Sequence, residues 1–453
     1  MWIPKLAPEK AAYQALADSI AEAISSGELA PGDRLPPQRE LADALGVNLG
    51  TVSRGYQLAC QRGLTQGEVG RGTYVRSDHG GMSAFEHQQS GRMLIDLSMN
   101  TPSPVHDPNL SQLLRELARD DCQHLLRYQV PGGNAAQLEA GAEWLSRLGL
   151  AAQPAELFVC GGAQHAIFLC FLALTQRGQT VLCEELTYPG AAAAARSLGL
   201  QVHAVSLDDQ GLEPEALDRA LRSTRAKLIY ALPTLHNPTT GSLSKHRRAE
   251  IAEIVERHQA WLIEDDILGG LLRKPPTPVA SLIPERSFFV GSVSKLLAGG
   301  LRVAYVRSPP AWRQRLVSSL QASSWMTSPI TCELSRRLIL SGEVENILDS
   351  RRAEISERNR IARELLADFE LRTADTYHGW LELPTPWSAD AFTAELAQRG
   401  VLVRSATAFH LGRGAVPAAV RVSLSGARSD AELRVGLDRI RELLAAGAPS
   451  PAL

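Results

Sequence analysis

The chain has 453 residues, which is too long for a single hydrophobic core, so two or three domains are expected. With 44% hydrophobic and 21% charged residues it has the composition of a soluble globular protein, and it contains no apolar run long enough to cross a membrane. The formal net charge of -2 gives no bulk attraction to nucleic acid, so DNA binding would require a local basic patch.

The first ten residues and the cysteines indicate the compartment. The start, MWIPKLAPEK, lacks the basic segment, apolar core and cleavage site of a secretory signal, so we expect a cytoplasmic protein with no membrane partner. The cysteines are scattered without a CxxC pair, as expected of small core residues in a reducing compartment, and no metal site is predicted. They are Cys60, Cys122, Cys160, Cys170, Cys183 and Cys332.

Three helices are predicted in the first part of the chain. Apolar residues recur at three- and four-residue steps and indicate an amphipathic helix over about residues 9–26. A short helix over residues 38–45 and a third over about residues 49–62 follow, with a tight turn at Gly46 between them. Asn48 is placed to cap the third helix. Two short helices around a glycine turn suggest a helix-turn-helix.

A basic hairpin follows the third helix. Residues 64–68 and 73–76 indicate two strands joined by the turn at residues 69–72, which would form a wing. Between residues 44 and 77 the formal charge is +3, which fits phosphate contacts along one face. A small helical packing module with a solvated basic edge would show the same pattern. The charged residues are Arg54, Arg62, Arg71, Arg76 and Glu68.

Three stretches in this region carry a specific resemblance. They read GELAPGDRLPPQRELA over residues 27–42, LGVN over residues 45–48 and GRGTYV over residues 70–75, and they are similar to the GntR-family winged helix over nearly its whole length. The resemblance implies operator DNA as a partner, contacted from Arg34, Arg39, the third helix and the wing tip. The residues so implied are Arg34, Arg39, Thr51, Ser53, Arg54 and Arg71.

The third helix departs from the GntR pattern at its start. The family commonly has an arginine early in this helix, where the chain has Leu49 followed by Gly50. A guanidinium that contacts bases or phosphates is therefore missing, while Thr51, Ser53 and Arg54 remain. DNA binding is expected, but the operator sequence stays open.

The composition of the chain changes twice and predicts three consecutive parts. Residues 1–77 form the DNA-binding domain, and the polar, glycine-containing residues 78–92 form a flexible linker. Residues 93–453 form the second domain. Within it, about residues 93–360 are expected to be mostly a large lobe and about residues 361–453 a small C-terminal lobe.

Strand-like apolar runs alternate with helical stretches after the linker. This alternation predicts an α/β fold with a largely parallel sheet covered by helices. In such sheets ligands bind beyond the carboxyl ends of the strands, so polar residues at those ends are candidates for a site. The predicted strands are Glu156–Cys160, Thr180–Cys183, Gln201–Val205, Lys227–Ala231, Trp261–Glu264, Ser287–Val290 and Val303–Val306.

The first two strand ends suggest groups for an anion and a planar ring. After the first strand, Gly161 and Gly162 open a helix, and the free N–H groups of Ala163 and Gln164 would suit a phosphate. Tyr188 follows the second strand and would stack on a planar ring. Each signal has a plain alternative, since most glycine pairs are turns and most such tyrosines belong to the core.

Two later strand ends add an amide and an acid. Asn237 offers an amide donor just before Pro238, which discourages the strand from continuing, although an ordinary Asn-Pro turn has the same sequence. Asp265 ends an apolar strand, where a carboxylate is costly unless it pairs with a cation or reaches water.

Lys295 lies in a loop of small residues after the apolar run Phe288–Val290. Between two buried strands its ammonium would be desolvated, which lowers its pKa and makes it an amine nucleophile for Schiff-base chemistry. The hydroxyls of Ser292 and Ser294 and the guanidinium of Arg302 would together hold a phosphate. A surface-loop lysine is the alternative, since lysines are usually exposed.

Taken in order, these signals resemble the fold-type I, aspartate-aminotransferase-like proteins that bind pyridoxal 5'-phosphate, across about residues 93–450. With the GntR-like winged helix before them, the whole chain resembles the MocR subfamily of bacterial transcription regulators. The resemblance implies that Lys295 forms a Schiff base with the cofactor and that Asp265 pairs with the pyridine nitrogen. It also implies that Asn237 hydrogen-bonds the ring hydroxyl and that Tyr188 stacks on the ring.

The same resemblance implies further contacts around the cofactor. Arg421, in the run AVRVSLS of residues 419–425, is the candidate clamp for an effector carboxylate, because a guanidinium suits carboxylate geometry. A surface arginine on a strand is the alternative. Tyr128 is a candidate ligand of the partner subunit's phosphate. The implied ligands of the cofactor's own phosphate are Gly162, the backbone amides of Ala163 and Gln164, Ser292, Ser294 and Arg302.

One position departs from the aminotransferase pattern. Related chains usually have a tyrosine two or three residues after the aspartate, where it hydrogen-bonds the ring hydroxyl, but this chain has Ile267 and Leu268. The missing phenol should alter the proton affinity of the cofactor linkage and weaken turnover. Cofactor binding should survive, because the lysine, the aspartate and the phosphate ligands remain.

These observations favour a transcription regulator that uses pyridoxal phosphate as a sensor. An amine or amino-acid effector, or the cofactor itself, would alter the pocket, and the linker would pass a changed domain arrangement to the DNA. A homodimer is expected, since the site in the resembled fold lies at a subunit boundary. The alternatives are an aminotransferase with a DNA-binding appendage and a cofactor-free regulator with a relic fold.

Overall fold

The chain divides into two compact units: among the described residues, the first contains those up to residue 75 and the short piece 414–417, and the second contains residues 94–412 and 418–447. The predicted linker and the end of the predicted first domain lie outside the described residues, so the predicted domain limits stay a prediction. Among the helices described, none is long and apolar enough to cross a membrane. The computed structural model describes residues 2–4, 6, 11–26, 28–29, 33–61, 64–68, 72–75, 94–412 and 414–447.

The first unit consists of helices followed by a hairpin, as the sequence predicts. The two strands of the hairpin pair antiparallel, with Thr65 opposite Val75. The predicted helix and strand limits agree with the structure to within a few residues. The elements are α1 (Ala12–Ser26), α2 (Gln38–Leu45), α3 (Leu49–Gln61), β1 (Thr65–Glu68) and β2 (Gly72–Val75).

Local chemistry fixes the turn between α2 and α3. Gly46 adopts φ +65°, a left-handed conformation that costs glycine little, and its N–H bonds the last carbonyls of α2. The Asn48 side chain then accepts the backbone N–H of Thr51 at 2.8 Å, as predicted for a helix cap. Leu16 of α1 and Val52 of α3 are buried in the core beneath this turn.

The strands of the second unit are divided between a large lobe and a small lobe. They are β3 (Ile95–Asp96), β4 (Leu157–Cys160), β5 (Thr180–Glu184), β6 (Gln201–Val205), β7 (Leu207–Asp208), β8 (Gly211–Leu212), β9 (Leu228–Ala231), β10 (Trp261–Asp265), β11 (Ser287–Ser292), β12 (Ala304–Arg307), β13 (Leu371–Thr373), β14 (His378–Glu382), β15 (Val401–Leu402), β16 (Arg404–Ser405) and β17 (Ala419–Ser423).

A seven-stranded sheet forms the centre of the large lobe, in the order β4-β12-β11-β10-β9-β5-β6. Its members are the seven predicted strands. Neighbours pair in parallel except β12, which runs antiparallel to β11 and β4. The strands β4, β9, β11 and β12 are buried along their whole length, because helices cover both faces of the sheet.

Helices surround this sheet and continue into the small lobe. The α-helices of the second unit are α4 (Leu110–Leu117), α5 (Ala135–Ser146), α6 (Ala163–Leu174), α7 (Pro189–Ser197), α8 (Pro214–Thr224), α9 (Lys245–Arg257), α10 (Val279–Leu282), α11 (Arg313–Ser323), α12 (Pro329–Leu340), α13 (Glu343–Leu365), α14 (Ala389–Gln398) and α15 (Asp430–Ala446).

The small lobe contains an antiparallel sheet in the order β13-β14-β17-β16. The strand that begins the second unit also belongs here, because Ile95 pairs in parallel with Val401. Leu97 is buried in the same core as Val420 and Leu433. The residues nearest the predicted linker therefore fold with the C-terminal part of the chain.

Arg351 of α13 joins the long helix to the loop that follows Lys295. Its guanidinium is fully buried and donates to the backbone carbonyls of Leu296 at 2.9 Å, Leu297 at 2.6 Å and Ser103 at 2.9 Å. Removing it would leave these buried acceptors without donors, which costs free energy.

We expect Arg351→Met to lower the free energy of unfolding by about 3 kcal/mol, since it removes a buried cation and its hydrogen bonds. Urea denaturation followed by circular dichroism measures this change. Arg360→Met, on the exposed face of the same helix, is the control and should change stability little. Equal stability of the Arg351 variant and wild type would contradict the assignment.

Candidate functional site

Lys295 lies in the loop between β11 and β12 and points into the second unit. Its Nζ donates a hydrogen bond to the backbone carbonyl of Asn100. Burial, together with the positive charges of Arg421 and Arg302, lowers the pKa of Lys295 to about 8. The neutral amine, which is the form that attacks carbonyl carbon, is therefore far more populated near neutral pH than in an ordinary solvated lysine.

Asp265 ends β10 as a buried carboxylate with two unlike oxygens. Its Oδ2 accepts the hydroxyl of Tyr230 at 2.6 Å, whereas its Oδ1 has no hydrogen-bond partner among the residues described. Burial, with smaller contributions from the nearby carboxylates of Asp266 and Glu184, raises the pKa of Asp265 to about 7, and the Tyr230 hydrogen bond opposes this shift. A buried oxygen without a donor fits a protonated ring nitrogen.

Gly162 and Arg302 form a small cradle at the start of α6. Gly162 adopts φ +91°, and a Cβ there would lie 2.7 Å from Arg302 Nη2. Arg302 itself adopts φ +50°, which is uncommon outside glycine and is often found at functional sites. The guanidinium therefore lies directly beside the first turn of α6, where the N–H groups of Ala163 and Gln164 favour an anion.

The two serines before Lys295 differ in their surroundings. The Ser292 hydroxyl donates to the carbonyl of Val303 at 3.0 Å and accepts the N–H of Ser294 at 3.2 Å, so it ties the loop together. The Ser294 hydroxyl is buried and has no partner among the described residues. Of the two predicted phosphate ligands, Ser294 therefore has the hydroxyl that is available for one.

Tyr188 lies at the start of α7, among the charged groups of the pocket. Burial raises the pKa of its phenol, the carboxylate of Asp265 adds to this, and the guanidinium groups of Arg302 and Arg421 oppose it. The Gln164 side chain donates to the carbonyl of Gly190 at 2.8 Å, beside the Tyr188 ring. Tyr188 therefore lies near Asp265, the predicted partner of the ring nitrogen, and near Arg302, a predicted ligand of the phosphate.

Arg421 of β17 enters the pocket from the small lobe. Its Nη1 donates to Asn237 Oδ1 at 2.7 Å and its Nη2 to the carbonyl of Ser98 at 2.5 Å. The guanidinium also lies 4.9 Å from the ring centroid of Phe409. Burial lowers the pKa of Arg421 to about 9, with a smaller contribution from Arg404. Arg421 is therefore a buried cation rather than the surface arginine that the sequence left open.

The segment Ser98–Asn100 supplies backbone acceptors to this pocket. Besides the bonds to Arg421 and Lys295, the carbonyl of Met99 accepts the hydroxyl of Ser423 at 2.7 Å. The Asn100 side chain is 2.8 Å from Nδ1 of the buried His378. Three consecutive carbonyls thus accept hydrogen bonds from Lys295, Arg421 and Ser423, all of which are far from this segment in the sequence.

The position of the missing tyrosine is apolar in the structure as well. Leu268 is buried, and Ile267 packs against the aliphatic core of the large lobe. Neither side chain carries a hydroxyl, so the predicted departure from the aminotransferase pattern stands.

Tyr128 lies outside the pocket and is 83% exposed. Its ring packs edge-on against Trp325, with centroids 6.2 Å apart, and Leu126 and Val130 beside it in sequence are also exposed. No contact within the chain's described residues joins Tyr128 to the predicted phosphate cradle. Its predicted role therefore depends on a second subunit.

The predicted DNA-contacting arginines are exposed on the first unit where the structure describes them. Arg34, Arg39 and Arg54 all face solvent. The guanidinium of Arg34 lies against the wing, because a Cβ at Gly72 would be 2.8 Å from its Nε. Arg71 lies outside the described residues, so its predicted contact stays a prediction.

The two predicted hydroxyl contacts to DNA are engaged inside the first unit. Thr51 Oγ1 donates to Asn48 Oδ1 at 3.0 Å, and Ser53 Oγ donates to Gln38 Oε1 at 2.5 Å. These bonds fasten the start of α3 to its cap and to α2. Leu49, where the GntR pattern has an arginine, is 41% exposed.

Both parts of the chain match known families. Residues 92–440 match the family described as "Aminotransferase class I and II", and residues 12–75 match "Bacterial regulatory proteins, gntR family". The uncharacterized HTH-type transcriptional regulator YdeF of Bacillus subtilis is 31% identical over 446 residues, covering 98% of this chain and 96% of that protein. The chain belongs to the MocR-like GntR transcription regulators.

Two further likenesses agree with this family. The vitamin B6 salvage pathway transcriptional repressor PtsJ of Salmonella typhimurium is 32% identical over 413 residues, covering 90% of this chain and 93% of that protein. An archaeal alanine:glyoxylate aminotransferase has a similar structure, with a TM-score of 0.74 and 22% identity over 80% of this chain and 93% of that one. That likeness shows the fold, whose members use pyridoxal phosphate.

Some pocket residues of this MocR-like chain are not evident from its sequence. Tyr230, which bonds Asp265, lies in the middle of an apolar strand and looks like a core residue. The hydroxyl of Tyr377 donates to the backbone carbonyl of Lys295 at 2.7 Å, and the Ser98–Asn100 backbone lies about 200 residues from Lys295 in the chain. Backbone acceptors leave no signal in residue type, so only the fold reveals them.

The lowered pKa of Lys295 makes a prediction that needs no ligand. The rate at which dinitrofluorobenzene labels Lys295 should rise with pH to a midpoint at about 8 and then level off, because the neutral amine is the reactive form. Mass spectrometry of the Lys295 peptide follows the reaction.

An Arg421→Gln variant provides the matched comparison for this labelling. It removes one nearby positive charge, so the midpoint for Lys295 should move up towards the ordinary lysine value of 10.5. A wild-type rate that keeps rising to that value would show that Lys295 is an ordinary solvated lysine.

Proposed function

We propose that this chain is a DNA-binding transcription regulator that holds pyridoxal 5'-phosphate through Lys295 and responds to an amine, an amino acid or the cofactor itself. The observation that carries the proposal is a single pocket with three matching groups. They are an amine of lowered pKa on Lys295, a buried oxygen on Asp265 and a buried hydroxyl on Ser294, and neither oxygen has a hydrogen-bond partner in the described part of the chain.

The chain's own groups fit each part of the cofactor. Asp265 Oδ1 would accept the ring N–H, and Arg302, Ser294 and the start of α6 beyond Gly162 would hold the phosphate. Tyr188 would pack on the ring face. When bound, pyridoxal phosphate supplies an aldehyde carbon that a primary amine can attach to reversibly.

Arg421 is the proposed site for the carboxylate of an amino-acid effector. Its two terminal nitrogens donate to Asn237 and to the carbonyl of Ser98. A carboxylate would offer two charged acceptors in a geometry that a guanidinium matches better than single neutral oxygens. An effector without a carboxylate would leave these bonds in place.

We propose that the segment Ser98–Asn100 connects pocket occupancy to the DNA-binding unit. Attachment of the cofactor at Lys295 would withdraw the donor held by Asn100, and a carboxylate at Arg421 would withdraw the donor held by Ser98. The segment begins only a few residues after the predicted linker, residues 78–92, so a change in it reaches the linker through the backbone. The effector must favour one arrangement over the other for this to work.

The relative PtsJ suggests the cofactor itself as one effector. That protein is described as a vitamin B6 salvage pathway transcriptional repressor, and the match covers 90% of this chain. Pyridoxal phosphate would then be both the group that Lys295 holds and the signal that the pocket reports. An amino acid that competes for the cofactor carbon would act on the same site.

A homodimer is proposed from the exposed apolar face around Tyr128. Leu126, Tyr128, Val130 and Trp325 are all more than half exposed, which is uncommon for a cluster of large apolar side chains. A second copy packed on this face would place Tyr128 near the partner's phosphate cradle. Two winged helices would then read paired half-sites in the cytoplasm.

An aminotransferase with an attached DNA-binding unit is the second candidate function. Lys295 and Asp265 permit it, whereas the apolar residue Ile267 removes a phenol that supports turnover in related chains. Sustained release of keto acid from an amino acid by the cofactor-loaded protein would favour this candidate. A single stoichiometric release would not.

The proposed function predicts a cofactor-dependent change in DNA affinity. With DNA from upstream of its own gene, full-length protein should change its Kd at least about fivefold on addition of pyridoxal phosphate, and again with an active amine. Fluorescence anisotropy at fixed salt measures this, since affinity for DNA falls steeply with salt.

Lys295→Ala is the control for this experiment. It leaves the winged helix intact and permanently removes the donor to the Asn100 carbonyl, so its affinity for the DNA should lie near that of the cofactor-loaded wild type and should not change when pyridoxal phosphate is added. A wild-type protein that carries stoichiometric cofactor but binds the DNA equally with and without it would contradict the proposal.

A further inference from the structure

Tyr230 and Asp265 form a buried hydrogen-bonded pair beneath the pocket. Tyr230 lies on β9, next to β10 in the sheet, and its hydroxyl donates to Asp265 Oδ2 at 2.6 Å. Both side chains are buried, with Tyr230 fully excluded from solvent. Oδ1 is left as the carboxylate oxygen without a partner among the residues described.

The surroundings of Tyr230 keep it a hydrogen-bond donor. Its ring packs edge-on against Phe171, with centroids 6.3 Å apart, which fixes the direction of the hydroxyl. Burial raises the pKa of the Tyr230 phenol, and the negative charge of Asp265 raises it further. The phenol therefore stays protonated and remains a donor to Oδ2.

The acid needs this donor because other acids surround it. Asp266 and Glu184 lie close enough to raise the pKa of Asp265 on top of its burial, and the Tyr230 hydrogen bond acts in the opposite direction. A neutral carboxylic acid would pair less well with a protonated ring nitrogen than a carboxylate does. The donor thus favours the charged form that the cofactor requires.

We propose that Tyr230 is a positioning residue that fixes the Asp265 carboxylate so that Oδ1 is presented to the ring nitrogen of the bound cofactor. This inference rests on the proposed function and extends it to a residue that does not touch the cofactor. This chain has Ile267 where related chains have a tyrosine that bonds the ring hydroxyl. The protonation of the cofactor ring would therefore depend mainly on Asp265. Tyr230 acts on this protonation indirectly, because its hydrogen bond lowers the pKa of Asp265.

The test uses the full chain loaded with ¹⁵N-labelled pyridoxal phosphate. The ¹⁵N chemical shift of the ring nitrogen reports its protonation directly and does not depend on catalysis. In Tyr230→Phe, which keeps the ring contact with Phe171, the shift should move towards the neutral form at constant pH. The cofactor Kd should rise roughly tenfold, as expected for a lost hydrogen bond to a charged group.

Two matched proteins complete the design. Tyr305→Phe alters another fully buried tyrosine of the same sheet, and it should leave both the shift and the Kd unchanged. Placing 3-fluorotyrosine at position 230 gives a stronger donor of nearly the same size, so the shift should move the opposite way. This second protein decides the question even when Tyr230→Phe does not fold.

The outcomes separate this inference from the proposed function. A wild-type protein that binds no pyridoxal phosphate overturns both. A wild-type protein that binds it, together with a Tyr230→Phe variant of identical ring-nitrogen shift and Kd, overturns the role of Tyr230 alone.

Discussion

Two buried cations of the second unit share one short backbone segment as their acceptor. Lys295 donates to the carbonyl of Asn100, and Arg421 donates to that of Ser98. A buried cation without a partner is costly, so both side chains depend on this segment for an acceptor. A cofactor aldehyde would take up the neutral amine of Lys295, and an effector carboxylate would offer the Arg421 guanidinium a charged acceptor. Under the proposed function, ligand occupancy and the position of Ser98–Asn100 would be parts of one equilibrium.

The fold explains how such distant residues meet. Lys295 and Asp265 come from the carboxyl ends of adjacent parallel strands, where open α/β sheets bind their ligands. Arg421 comes from the small lobe, and Ile95 ties the segment after the linker to that lobe through its pairing with Val401. The pocket therefore lies where the first residues of the second unit, the large lobe and the small lobe all contribute.

The sequence predicted the elements well because their signals are local. The strands of the large-lobe sheet are short apolar runs between turns, and the winged helix carries Gly46 and Asn48 at its turn. It did not predict contacts that depend on pairing between distant strands or on backbone atoms. Tyr230 looks like a core residue until β9 is placed beside β10, and the carbonyl of Asn100 has no signature at all. Likewise, Ser292 and Ser294 look equivalent until the loop geometry shows which hydroxyl is already used.

The most direct test of this account is hydrogen–deuterium exchange at the amides of residues 97–101 in the full-length protein. Exchange should become faster when pyridoxal phosphate binds, because the Asn100 carbonyl loses its donor and the segment then opens more often, and faster again when an amino acid binds at Arg421. An amine without a carboxylate should produce only the first change. Exchange that stays the same in fully cofactor-loaded protein would contradict the account.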